Sequence, residues 1–128
     1  MGHENFNDGS QYEGEWENGM MHGKGMYINL NGDLYQGNFD RGKMQGRGRL
    51  TYKNGNSYEG EFHDNLYHGL GELHFSLGII YKGQWVNGLR EGNGIQIWPN
   101  GKEYQGQWAN DRFNGEGFLK SLSRDCKL

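Results

Sequence analysis

Tyr12-Glu13-Gly14-Glu15-Trp16 opens a pattern that returns four more times at one spacing. The later copies are Tyr35-Gln36-Gly37-Asn38-Phe39, Tyr58-Glu59-Gly60-Glu61-Phe62, Tyr81-Lys82-Gly83-Gln84-Trp85 and Tyr104-Gln105-Gly106-Gln107-Trp108. The leading tyrosines are 23 residues apart at every step, with no insertion or deletion. Self-similarity at one fixed period marks a repeat array, in which each unit buries its apolar face against its neighbours.

With the leading tyrosine as offset zero, glycine fills offsets two, eleven and thirteen of all five units. Offsets seven and twenty hold most of the rest, and only Gly2 stands outside these columns. The glycines are therefore positional and not a sign of disorder. Residues 12–16 alternate ring, polar, glycine, polar, ring, the period of a half-buried strand. Asn18-Gly19 is a hairpin signal, and Gly23-Lys24-Gly25-Met26-Tyr27-Ile28 reads as the returning strand. Asn31-Gly32, Asn54-Gly55 and Pro99-Asn100-Gly101 turn the chain into the next hairpin. The predicted fold is all-β: an elongated, single-layer antiparallel meander of stacked hairpins. About ten strands at ~4.8 Å each span roughly 45–50 Å. Glycine relaxes the backbone enough for such a sheet to curl into a trough.

The units run over residues 12–34, 35–57, 58–80, 81–103 and 104–120. A tail (1–5) and a half-unit (6–11) precede them, and residues 121–128 form a cap or tail. Offsets zero, two, four, fifteen and seventeen share one aromatic face. The other face carries Glu13, Glu15, Gln36, Asn38, Glu59, Glu61 and their equivalents, and is expected to be wet. Ile95 and Ile97 break this rule by pointing to the polar side, which leaves two readings open, a bulged strand or an apolar patch.

These residues resemble the MORN (membrane occupation and recognition nexus) unit: Tyr-x-Gly-x-Trp/Phe, a turn, a Gly-x-Gly pair, an apolar strand and a second turn. The resemblance extends from Phe6 to about Leu119. It implies a non-enzymatic adaptor or scaffold in a cytoskeletal assembly such as a cilium or flagellum, within the cytoplasm. It also implies two alternatives: a phosphoinositide or anionic-membrane module, and an accessory array attached to a larger enzyme.

Composition narrows the function classes independently. Only 33% of the 128 residues are hydrophobic, and mean hydropathy is −1.02, which argues against a two-layer core. Four Trp, eight Tyr and six Phe supply large areas per residue instead. A net charge of −3 gives no basic footprint for nucleic acid. A single cysteine, Cys126, excludes an intrachain disulfide. No apolar run reaches the ~18 residues of a membrane helix.

Catalytic constellations are absent from the reading: the acids recur on the wet face, and the Gly-x-Gly pairs precede no Lys-Ser/Thr. His22 and His68 share offset ten but lie two units, ~19 Å, apart. His63, His68 and His74 share one hairpin and read as solvated side chains, so neither metal nor cofactor is expected.

Protein binding is the expected activity. A single layer has nothing to cover its aromatic face, so the rings pack between units and line a groove for a peptide or helix. The groove residues are Tyr12, Trp16, Tyr35, Phe39, Tyr58, Phe62, Tyr81, Trp85, Tyr104 and Trp108. A variable column at offsets eight and nine lies beside it: Met20, Met21, Met44, Leu66, Tyr67, Leu89 and Phe113. Arg41, Lys43, Arg47, Arg49 and Lys53 form the locally basic stretch, a candidate anion or headgroup patch. Open sheet edges also allow self-association by strand pairing.

Overall fold

Each two-residue connection at offsets six and seven takes left-handed backbone at both positions. Asn18 and Gly19 have φ of 52° and 75°, and Asp64 and Asn65 have 48° and 72°. That is the type I′ geometry whose twist matches the flanking strands. Arg41 occupies the first position of the second turn at φ 49°, where a Cβ-bearing residue other than Asn or Asp is disfavoured. Arg41→Asn is accordingly expected to raise stability by up to about 1 kcal/mol, read as a higher denaturant midpoint at unchanged slope.

The computed structural model describes the backbone of residues 2–121 and the side chains of residues 2–112. The strands are β1 (Gly2–Asn5), β2 (Gln11–Glu17), β3 (Met20–Ile28), β4 (Leu34–Asp40), β5 (Lys43–Thr51) and β6 (Ser57–His63). They continue with β7 (Leu66–His74), β8 (Ile80–Val86), β9 (Leu89–Ile97), β10 (Lys102–Ala109) and β11 (Arg112–Ser121). All lie in one open sheet in chain order, each antiparallel to the next. The residues read as an N-terminal tail form β1, where Gly2 pairs with Gly14 as Gly25 pairs with Gly37. Gly2 therefore sits at offset thirteen of the incomplete leading unit and belongs to a glycine column after all. The expected cap lies, apart from Ser121 in β11, outside the described residues.

The hairpins are not regular ladders. Gly14 pairs with Gly25, but Trp16 pairs with Met21, so the returning strand carries extra residues around Gly23. Gly23, Gly46, Gly69 and Gly92 absorb this bulge with φ of 68–78°. The polar residue at offset three caps it: Lys24 N–H donates to Glu15 Oε2 (3.3 Å), and Asn93 N–H donates to Gln84 Oε1 (2.7 Å). Asn38 does the converse, donating from Nδ2 to Arg47 O at 3.3 Å. These side chains, expected only to solvate a face, satisfy backbone that the bulge leaves open.

Neighbouring hairpins are tied at their tips. The turn N–H groups of Gly42, Asn65, Gly88 and Asp111 donate to the carbonyls of Met21, Met44, Tyr67 and Arg90, one unit back, at 2.9–3.1 Å. Offset ten supplies a second tie, with Asn87 N–H donating to His68 Nδ1 (3.5 Å) and Asn110 N–H to Glu91 Oε2 (2.7 Å). His68 is thus a bridging acceptor between units. His22 lies 2.8 Å from Glu17 and 3.5 Å from Asp40.

The core is a single file of rings on one face. Each leading tyrosine lies over the bare glycines beside it, and its hydroxyl donates to the carbonyl three residues on, as Tyr12 does to Glu15 O at 2.7 Å. Because β3, β5, β7 and β9 carry glycine at offsets eleven and thirteen, rings from flanking strands meet above them. Tyr12 touches Phe39 edge-on at 5.3 Å, Tyr35 touches Phe62 at 5.1 Å, Tyr58 touches Trp85 at 5.7 Å and Tyr81 touches Trp108 at 5.2 Å. With the pairs inside each unit, the file runs unbroken from Trp16 to Tyr104. Edge-to-face pairs of this kind add ~0.5–1.5 kcal/mol each beyond area burial.

Candidate functional site: an aromatic trough

The file of rings is a floor and not an open groove. Tyr12, Tyr35, Tyr58 and Tyr81 have at most 1% of their surface exposed, and Phe39, Phe62, Trp85, Tyr104 and Trp108 are also buried. Trp16 is half-buried. Burial pushes the Tyr35 and Tyr81 hydroxyls up to about 12 and raises those of Tyr12 and Tyr58 as well. As phenols they donate to backbone carbonyls.

A further layer of side chains lies above the floor. Tyr67, at offset nine of the third unit, lies flat on Tyr58 at 3.8 Å and bonds its hydroxyl to that of Tyr52 on the opposite lip. A side chain near the hairpin tips therefore touches one beside the inter-unit loops, which requires the two ends of the strands to rise towards each other. Arg90 takes the same offset in the fourth unit. Its guanidinium sits 4.5 Å from the Trp108 ring, and it donates to Gln96 Oε1 (2.8 Å), Asp111 Oδ1 (3.1 Å) and Asp111 O (3.0 Å). Gln96, which replaces the usual Leu or Tyr, is thereby the buried acceptor for Arg90.

The third unit is thus tied back to the second through Tyr67 and Tyr52, and Arg90 and Gln96 bond within the fourth. In units one and two the same column supplies Met21 and Met44, which have no group able to bond across. On the facing lip Asn29 turns its Oδ1 into its own loop, accepting from Asn31 and Asp33 N–H. Met21, Tyr27, Met44 and Leu50 remain partly exposed on the floor rings. This is an apolar, adaptable segment of trough, at one end of the array.

The variable column splits between the two faces. Met21, Met44 and Tyr67 point into the trough, whereas Met20, Leu66 and Leu89, one residue earlier, stand 40%, 45% and 38% exposed on the outer face. The side chain of Phe113 lies outside the described residues. The basic stretch is also dispersed. Arg47 and Arg49 join Lys24 around a shallow outer hollow floored by Gly25, Gly37 and Gly48. Arg41 and Lys43 stand at a hairpin tip beside Asp40, His63 and Asp64. Lys53 sits at the loop end, its N–H on Asp33 Oδ1. Among the described residues no group of three metal-ligating side chains converges.

The family model for the MORN repeat matches five consecutive segments, residues 12–34, 35–57, 58–76, 81–103 and 104–121. The chain belongs to the MORN-repeat family. Comparison with curated proteins gives no match. Among solved structures, this MORN array is similar to the TCP domain of SAS-4 (dCPAP) from Drosophila melanogaster, in complex with a proline-rich motif of Ana2 (dSTIL). Identity is 14%, coverage is 93% of this chain and 88% of that one, and the TM-score is 0.36. That score is too low for the neighbour to bear on function here.

Proposed function

We propose that this MORN array is a non-enzymatic interaction module that seats an apolar segment of a partner protein in the trough of its first two units. The observation that carries the reading is the contrast along one column: Tyr67 bonds back to Tyr52 of the second unit and Arg90 to Gln96 of its own, whereas Met21 and Met44 make no such bond and leave partly buried apolar surface on the floor rings. Two strands per unit give a pitch of ~9.6 Å. Anchors seven residues apart on a helix rise ~10.5 Å, so one helix along the trough can address both units. A cytoskeletal, ciliary or flagellar setting rests on the family resemblance. Among the described residues no helix is long and apolar enough to cross a membrane.

The test is affinity capture with Met44→Asp and Leu50→Asp, each confirmed as folded by circular dichroism, beside an outer-face control, Leu70→Ser. The expected result is a protein retained by the wild type and the control and lost by both trough variants, with affinity falling at least tenfold. A partner kept by both trough variants would refute the trough reading. A second reading, an anionic headgroup at the outer hollow, is favoured by the convergence of Lys24, Arg47 and Arg49 there. It predicts salt-sensitive liposome binding abolished by Arg47→Glu.

A further inference from the structure

The outer face, expected to be wet except at Ile95 and Ile97, carries two rows of side chains that are apolar at both ends and polar at the centre about β6. In the row at offsets sixteen and minus one, register pairing runs Ile28 to Leu34, Thr51, Ser57, His74, Ile80 and Ile97. Two aliphatic residues at each end flank a short polar centre. Ile95 and Ile97 reach this face in regular register, opposite Lys82 and Ile80, so their strand is not bulged there and both side chains lie half-buried on the outer face. The adjacent row, at offsets fourteen and one, runs from Met26 through Gln36, Arg49, Glu59, Glu72 and Lys82 to Ile95. Its ends are apolar, and its inner flanks carry opposite charges.

We infer that this strip is an isologous interface with a second copy of the chain, related by a two-fold axis lying along β6 between the two outer faces. Such an axis keeps position along the strands and reverses strand order, so β3 meets the partner's β9, β4 meets β8 and β5 meets β7. Ile28 then meets Ile97 of the partner subunit, Leu34 meets the partner's Ile80, and Arg49 meets the partner's Glu72, each contact occurring twice. Ile28 is 37% exposed, and among the described residues Arg49 makes no ion pair within the chain. Glu72 lies 3.1 Å from His74 and keeps its side chain 47% exposed. The like-charge meetings on the axis, Glu59 on Glu59 and Glu61 on Glu61, have Arg49 and Arg47 beside them in register. The copies meet through their outer faces along this strip, with both aromatic faces turned away. The inference does not depend on what the trough holds.

Sedimentation equilibrium of the full chain over a concentration series tests it. The wild type is expected to dimerise. Arg49→Glu alone and Glu72→Arg alone should each weaken the dimer roughly tenfold or more by setting like charges against each other. Arg49→Glu combined with Glu72→Arg should restore it, and Ile97→Asn should weaken it without reference to charge. Thermal unfolding of each variant confirms the fold. A monomer at every concentration overturns the inference, and so does a dimer indifferent to the single reversals. A dimer that is instead broken by His3→Pro in β1 would place the contact at the sheet edge and equally overturn it.

Discussion

Gly71→Ala is expected to cost about 3 kcal/mol or more, at the upper end of what overpacking does to a core. A Cβ at this position would lie 2.1 Å from the Tyr58 hydroxyl oxygen and 2.4 Å from Cζ of the same ring. The ring has nowhere to go. Its hydroxyl donates to Glu61 O at 2.8 Å, its face lies under Tyr67, and its edges meet Phe62 and Trp85 at 5.1 and 5.7 Å. Tyr58 is also fully buried in the middle of the ring file, so displacing it breaks packing towards both ends. Denaturant unfolding of Gly71→Ala, Tyr58→Ala and the double variant checks the cause. If the methyl acts through the ring, the double variant loses clearly less stability than the two singles combined. Strict additivity would show that the glycine is required for its backbone alone.

The second large effect is alkaline unfolding. Burial holds the Tyr35 and Tyr81 hydroxyls up to about 12, against 10.0 for an unperturbed tyrosine. As phenols they donate to Asn38 O at 2.7 Å and Gln84 O at 3.0 Å, which a phenolate cannot do. Below pH 10 both the folded and the unfolded chain keep these protons, and the contribution to stability is whole. Between pH 10 and 12 only the unfolded chain releases them, so stability falls as pH rises through this window. Each tyrosine contributes about 1.4 kcal/mol per pH unit there, or roughly 5 kcal/mol for the pair. Tyr58 and Tyr67, also raised by burial, extend the loss. Urea midpoints across this range, followed alongside phenolate absorbance, give the check. Stability that stays flat to pH 12, or tyrosines that all titrate near 10 in a folded chain, would contradict it.

Gly71 and Tyr35 also show what kind of information the sequence holds. The 23-residue period, the strand alternation and the Asn-Gly turns follow from local backbone preferences, which one chain read along its length displays in full. The same logic applied to Gly2 would have placed β1, since that glycine is in phase with the column at offset thirteen. Parity likewise separates Met20 from Met21, because a two-residue turn sends neighbours on a strand to opposite faces.

Other features depend on distances between strands that are not adjacent in sequence. Tyr58 and Trp85 meet 27 residues apart because the glycines of β7 leave no side chain between them, and that contact turns a row of rings from an open groove into a floor. Whether the trough above that floor is closed depends on the reach of one side chain per unit, Tyr67 to Tyr52 and Arg90 to Gln96, and so on how far the sheet curls. The cations of the second unit lie within one short stretch of sequence, yet the turns carry Arg41 and Lys53 to opposite ends of the strands, away from Arg47 and Arg49. The sequence by itself determined the array, its strands and the two sides of its sheet, because these are set by residue type and spacing. Only the tertiary structure decided which rings are buried and where apolar surface is left, because burial is a property of neighbours that folding brings together.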